Sequence, residues 1–223
     1  MNVRERALRA KAASRILARQ SRARKDAALD RIADAIVADA ARIEAANEED
    51  VRRGRDAGLS AALLDRLALS GEQIQALARA VKQVAALPDP VGSRSAMHRA
   101  SNGLLIGKQR LPIGLIAIVY ESRPNVTVDA AALTLKSGNA VLLRGGKEAA
   151  STNALLVEIM RRALADADLP EDAVCLVPPG DREEIRELVS LTEIVDLAIP
   201  RGGEGLIRFV AEVARLPVIK HYK

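Results

Sequence analysis

Aromatic side chains are almost missing from this sequence: one Phe, two Tyr and no Trp among 223 residues. A core must therefore be assembled from Ala, Leu, Ile and Val, each large aliphatic side chain contributing roughly 1.5–3 kcal/mol when fully buried. The same scarcity counts against a nucleic-acid surface that stacks bases on aromatic rings. Cysteine occurs once, at Cys175, which excludes an internal disulfide and a cysteine-rich metal centre. Histidine occurs only at His98 and His221, and no metal-ligand spacing is evident. No uninterrupted apolar run approaches the roughly 20 residues of a membrane-crossing helix. The N-terminus lacks the apolar stretch of an export signal. The expectation is a cytoplasmic chain with no membrane partner and no metal.

Basic residues are in excess: the net charge is +5 and the isoelectric point about 9.6. Much of the surplus lies in Arg4, Arg6, Arg9, Lys11, Arg15, Arg19, Arg22, Arg24 and Lys25. A run of this kind reads as a solvated helix face. The rival reading, a basic nucleic-acid-binding segment, predicts salt-dependent DNA affinity, but no aromatic platform or recognised module accompanies it. No nucleic-acid partner is expected.

Residues 1 to about 87 read as helices. Leu8, Ala12, Ile16 and Leu17 form one apolar face, as do Leu29, Ile32, Ile36 and Val37, followed by Ile43; such spacing predicts buried stripes. Ser60 is placed to cap a short helix. Ser70 with Gln73 three residues on has the capping-box pattern, ahead of Ile74, Leu77, Ala78, Val81 and Val84. Leu87-Pro88-Asp89-Pro90 closes the helical region. Two extended segments, 93–99 and 104–111, flank Ser101-Asn102-Gly103, a strong hairpin signal. From residue 113 the pattern alternates. Strands are expected at 113–120, 140–143, 173–177 and 194–199, with a fifth beginning at 218. Helices are expected at 126–136, 149–165, 182–189 and 206–214, the first stopped by Gly138. Strand and helix in alternation predict a parallel sheet covered on both faces. The sequence ends just as the fifth strand emerges, which suggests an incomplete chain.

Open parallel sheets bind ligands beyond the carboxyl ends of their strands, and three segments fall there. Glu121-Ser122-Arg123-Pro124-Asn125-Val126-Thr127 is polar between two apolar runs; it is a binding loop or a polar turn capped by Asn125 or Thr127. Arg144-Gly145-Gly146-Lys147 offers backbone N–H groups and positive charge to a ribose or phosphate, or is a glycine-rich turn with two solvated bases. Arg201-Gly202-Gly203-Glu204-Gly205 precedes a helix whose N-terminus suits a pyrophosphate, though it is not the G-x-G-x-x-G fingerprint. Cys175, in an apolar strand, reads as a buried structural thiol. His98 lies in the hairpin with no nearby carboxylate, and His221 lies at the end of the sequence between lysines; either can serve as a general base only in a context the sequence does not define.

Together these segments resemble the γ-glutamyl phosphate reductase family of the aldehyde dehydrogenase superfamily. The most specific part is Tyr120-Glu121-Ser122-Arg123-Pro124-Asn125. Leu135-Lys136-Ser137-Gly138-Asn139-Ala140, Leu143-Arg144-Gly145-Gly146, Ile199-Pro200-Arg201-Gly202-Gly203 and Pro217-Val218-Ile219-Lys220-His221 also match, as do stretches around residues 57–67 and 84–92. The resemblance covers nearly the whole sequence. It implies an α/β, aldehyde-dehydrogenase-like fold: a Rossmann-like parallel sheet with an N-terminal helical region (1–90), a β-hairpin oligomerisation arm (91–112) and an NADP-binding core (113–223). It implies NADPH-dependent reduction of L-glutamate 5-phosphate to L-glutamate 5-semialdehyde and phosphate, in proline biosynthesis, through a cysteine thiolate that forms a thioester. That cysteine follows the Lys-His stretch in the family, and Cys175 does not match it. This portion is therefore expected to lack turnover and to contain no catalytic residue of its own. The resemblance places Ser122, Arg144, Gly145, Gly146, Gly202 and Gly203 at the cofactor and Glu121, Arg123 and Asn125 at the substrate. It also implies a homo-oligomer and a complex with glutamate 5-kinase. The alternative is a non-catalytic nucleotide-binding module.

Overall fold

A computed structural model describes residues 1–220. The first five helices are α1 (Val3–Leu17), α2 (Arg22–Ala38), α3 (Ala40–Asp56), α4 (Ala61–Leu67) and α5 (Gly71–Ala86). A hairpin of β1 (Arg94–Arg99) and β2 (Leu105–Gln109) follows. The rest alternates: β3 (Leu115–Tyr120), α6 (Pro124–Lys136), β4 (Ala140–Arg144), α7 (Ala150–Ala165), β5 (Val174–Leu176), α8 (Arg182–Leu188), β6 (Leu197–Arg201) and α9 (Glu204–Val213). Short 3-10 turns precede α7 and β5.

Strands β3 to β6 form one parallel sheet in the order β5-β4-β3-β6. Val218 adds a parallel bridge to Ala198, continuing the sheet beyond β6 where the fifth strand is expected. Every residue of β3 is buried, as the centre of a doubly covered sheet requires. Helices α6 and α7 lie against the sheet with α2, α3 and α5 packed onto them, while α1 contacts β4 and α8. The core is aliphatic apart from Tyr120, whose hydroxyl bonds Thr127 Oγ1 at 2.6 Å, and Thr127 in turn donates to Asn153 Oδ1 at 2.7 Å.

Local signals explain most boundaries. Ser70 and Gln73 make both bonds of the capping box at the start of α5. Ser60 is the N-cap of α4 but makes no side-chain cap bond. Gly138 stops α6 at φ 76°, where an added Cβ would lie 2.9 Å from Pro112. Helix α7 has no cap from its own sequence; Asp50 of α3 supplies one, accepting from Thr152 N and Oγ1 at 2.7 Å each. Helix α6 begins at Pro124, two residues earlier than expected, because proline suits the first helical turn. Strand β6 begins at Leu197 rather than 194, since residues 191–195 turn back on themselves through bonds from Ile194 N and Val195 N to Leu191 O.

One expected face is wrong. In α1, Leu8 and Ile16 are each half exposed and Ala12 is exposed; the buried residues are Val3, Ala7, Ala10, Ala13, Ser14 and Leu17. The helix turns its small residues to the protein, which lets it lie close to its neighbours. Val37 of α2 is likewise exposed, while Leu29, Ile32 and Ile36 are buried.

The basic N-terminal run is not simply a solvated face. Arg9 pairs with Asp172, Lys11 with Asp196 and buried Lys25 with Asp89. Arg6 donates to Leu176 O and Arg24 to Asp168 O. These side chains tie the first helices to the second half of the chain.

Candidate functional site

The register of the sheet sets three loops side by side. Val119 of β3 pairs with Arg144 of β4, and Tyr120 with Arg201 of β6. The chain leaves β3 for β4 on one side, whereas β6 lies on the other, so the order reverses at β3. That switch opens a crevice at the carboxyl ends of the strands.

Glu121 and Ser122 occupy the centre of this edge. Gly203 N, at the N-cap of α9, donates to Glu121 Oε2 at 2.8 Å. An added Cβ on Gly202 would sit 2.7 Å from the Glu121 carboxylate and 2.9 Å from Leu206 Cδ2. On the other side Ser122, buried, faces Glu148 Oε2 at 3.4 Å, and the Cβ position of Gly146 lies 3.5 Å from Ser122 N. Thus the loop after β3 touches both the loop after β4 and the start of α9. Ser122, Gly146, Gly202 and Gly203 share one edge.

Arg144 stands at the end of β4. Its guanidinium donates to Gly180 O at 2.8 Å and Asp181 O at 3.3 Å, holding the loop after β5. Its Nε is buried and has no partner among the described residues. Burial draws its pKa below the usual guanidinium value, against the opposing pull of Glu184, Glu148 and Asp181. The space beside Gly145 is filled from inside: a Cβ there would meet Asn153 Nδ2 at 2.4 Å and the Tyr120 ring at 3.0 Å.

Arg123 and Asn125 face another way. They line a cleft of about 400 Å³ between α4, α5 and the start of α6, with Arg66, Gln73 and Asp129. Asn125 Nδ2 donates to Asp129 Oδ2 at 3.3 Å. Burial raises the Asp129 pKa, only partly countered by that bond. Glu121 is therefore separated from Arg123 and Asn125: one side of the loop looks to α9, the other to the cleft.

Glu148, Glu184, Asp129 and Arg66 were not singled out from sequence. Asp129 had a signal in its one-turn spacing from Asn125 on the same helix, and Glu148, past two glycines at the end of β4, had none. Arg66 and Glu184 also had none. Cys175 is buried, bonded to Asp172 O at 3.4 Å, and burial pushes its thiol up to about 11. His98 is exposed on the hairpin, its Nδ1 3.2 Å from Ala96 O. His221 lies outside the described residues. Among the described residues no group of His, Cys, Asp and Glu is placed to hold a metal, and no helix is long and apolar enough to cross a membrane.

A parallel sheet of this order, with polar loops gathered at its switch point, defines an open α/β protein with a Rossmann-like sheet. The aldehyde dehydrogenase family model matches residues 1–215, and the chain belongs to that family. Within it, the chain is 57% identical over 220 residues to the γ-glutamyl phosphate reductase of Sorangium cellulosum (strain So ce56), covering 96% of this chain and 52% of that protein. It is 49% identical over 223 residues to the γ-glutamyl phosphate reductase of Xanthomonas campestris pv. campestris (strain B100), covering 100% and 54%. The crystal structure of γ-glutamyl phosphate reductase from Thermotoga maritima superposes with a TM-score of 0.95 at 39% identity, over 99% of this chain and 53% of that one. An acetylating aldehyde dehydrogenase from Geobacillus thermoglucosidasius, at 19% identity and a TM-score of 0.73 over 97% of this chain and 44% of that one, shares the fold. The chain spans about half the length of the curated relatives it matches.

Proposed function

We propose that this chain is the cofactor-binding portion of an NADPH-dependent reductase that converts L-glutamate 5-phosphate to L-glutamate 5-semialdehyde and phosphate in proline biosynthesis. The observation that carries the reading is the convergence of the loops after β3, β4 and β6 on the sheet's switch point. The names of the similar proteins supply the substrate.

The residues there fit an anionic dinucleotide. Gly203 N–H already holds a carboxylate, that of Glu121, at the positive end of α9. Arg144 carries a buried Nε with no partner. In this reading the diphosphate displaces the Glu121 carboxylate from Gly203 N–H and is received by Gly202 and Gly203, and Arg144, Gly145 and Gly146 flank the adenosine ribose. Ser122 adjoins the nicotinamide, and Glu121, Arg123 and Asn125 orient the substrate. The cofactor supplies the hydride; the chain supplies alignment and a partly dry setting for charge.

Cys175 supplies no nucleophile, because a thiol with a pKa of about 11 is almost wholly protonated near neutrality. Residues 1–223 alone are therefore expected to bind NADPH without turnover, which also keeps open the reading as a non-catalytic nucleotide-binding module. The hairpin serves as an oligomerisation arm between copies of a cytoplasmic enzyme, and glutamate 5-kinase is a candidate partner.

Fluorescence titration of purified chain with NADPH tests the reading. Saturable binding is expected, weakened roughly ten-fold by Arg144→Ala, as loss of a charge-assisted hydrogen bond implies. No semialdehyde should form. Absence of binding at millimolar NADPH would remove the proposal, and turnover by this chain would remove its account of Cys175.

A further inference from the structure

The cleft between α4, α5 and α6 holds charges that the fold itself leaves without partners. Arg66 of α4 and Arg123 at the N-cap of α6 both line it. Neither side chain makes a hydrogen bond or ion pair to a described residue. Asp129, half-buried on α6, has only the neutral amide of Asn125 as a partner. A half-buried carboxylate with no counter-cation is costly, and burial raises its pKa accordingly. The cleft volume of about 400 Å³ is in the range that encloses a small molecule.

We infer that this cleft seats the α-amino-acid head of the substrate: Asp129 receives the ammonium, Arg66 the α-carboxylate, and Arg123 the phosphoryl end. The inference rests on the function proposed above and extends it to two residues, Asp129 and Arg66, and to the basis of selectivity. The charges match in kind. L-glutamate 5-phosphate carries one cationic group and two anionic ones, and the cleft offers one carboxylate in its wall and two free guanidinium groups. Asp65, exposed beside Arg66, is the remaining charge in the lining. The phosphoryl end then lies at Arg123 and Asn125, on the same loop whose Glu121 and Ser122 face the crevice of the sheet. The head group points away from that crevice, and the phosphoryl end lies nearest it.

The test uses the 223-residue chain and a stable probe, the phosphonomethyl ketone analogue of L-glutamate 5-phosphate in which CH2 replaces the bridging oxygen. A second probe lacks the α-amino group. Titration calorimetry should show the amino probe binding about ten-fold tighter than its counterpart, as one charge-assisted contact provides. Asp129→Asn should abolish that preference while leaving affinity for the desamino probe unchanged. Arg66→Gln, at an exposed position, should weaken both probes alike. Both variants should retain wild-type NADPH affinity and thermal midpoint. If NADPH binds but the two probes bind equally, or Asp129→Asn keeps the preference, the inference fails and the cofactor reading stands. If neither NADPH nor probe binds, both fail.

Discussion

Lys25 is 2% exposed, and its ammonium lies 2.7 Å from Asp89. Burial pushes the Asp89 carboxyl up, but Lys25, the Val91 N–H and Lys136 more than offset this, so its folded pKa falls below the usual carboxylate value. A depressed folded pKa means that the contribution is complete above the unfolded value near 4 and is lost as pH falls through the lower folded value. Urea midpoints measured from pH 7 to pH 2 should therefore decline on the acid side. Asp89→Asn should flatten part of that decline and cost about 3 kcal/mol at pH 7, since it leaves the Lys25 ammonium buried without its counter-charge. Cys175 makes the opposite kind of prediction. With its pKa at about 11, only about one thiol in a thousand is ionised at pH 8. Native chain should resist iodoacetamide for hours at pH 8 and react once unfolded in urea, as read by intact mass.

At the scale of elements, what could be read in advance was what depends on neighbours in sequence. The capping box of Ser70 and Gln73, the hairpin about Asn102-Gly103 and the stop at Gly138 are local bonds and local dihedrals, and they stand where the residues imply. The face of α1 was misread because Leu8 and Ile16 outweigh alanine on any hydrophobicity scale, whereas close approach to the sheet favours Ala7, Ala10 and Ala13. The cap of α7 was invisible because the acceptor, the Asp50 carboxylate, is about a hundred residues away. The same division governs the site: the polar loops announced themselves against apolar strands, but the placing of Arg66 and Asp129 on one cleft needs the fold. Glycines show both cases. Gly145→Ala should cost about 1–3 kcal/mol by overpacking against Asn153 and Tyr120. Gly205, in the first turn of α9 with nothing within 4 Å of its Cβ position, should gain roughly 0.5 kcal/mol on replacement by Ala. Paired urea denaturations of the two variants check both signs.

Across the whole molecule, apolar surface left in solvent is concentrated outside the sheet. Every residue of β1 and β2 is exposed, including Met97, Leu105 and Ile106, with Leu104, Leu111 and Ile113 close by. A two-stranded hairpin is marginal by itself in water, and its outer edges offer unpaired N–H and C=O groups to another strand. None of its residues belongs to the buried core, so it adds little to the stability of the rest. An arm of this kind is expected to gain its order from a second copy of the chain. Replacing residues 94–109 with a short Gly-Ser linker should leave the thermal midpoint of the core within a few degrees of the parent, because no core contact is removed. The same change should convert a concentration-dependent sedimentation profile into that of a monomer. If the shortened chain still self-associates as the parent does, the contact lies elsewhere, and the exposed stripe of Leu8, Ala12 and Ile16 on α1 becomes the surface to alter next. If the core melts far earlier without the hairpin, the arm is structural, and its exposure in the single chain understates what it supports.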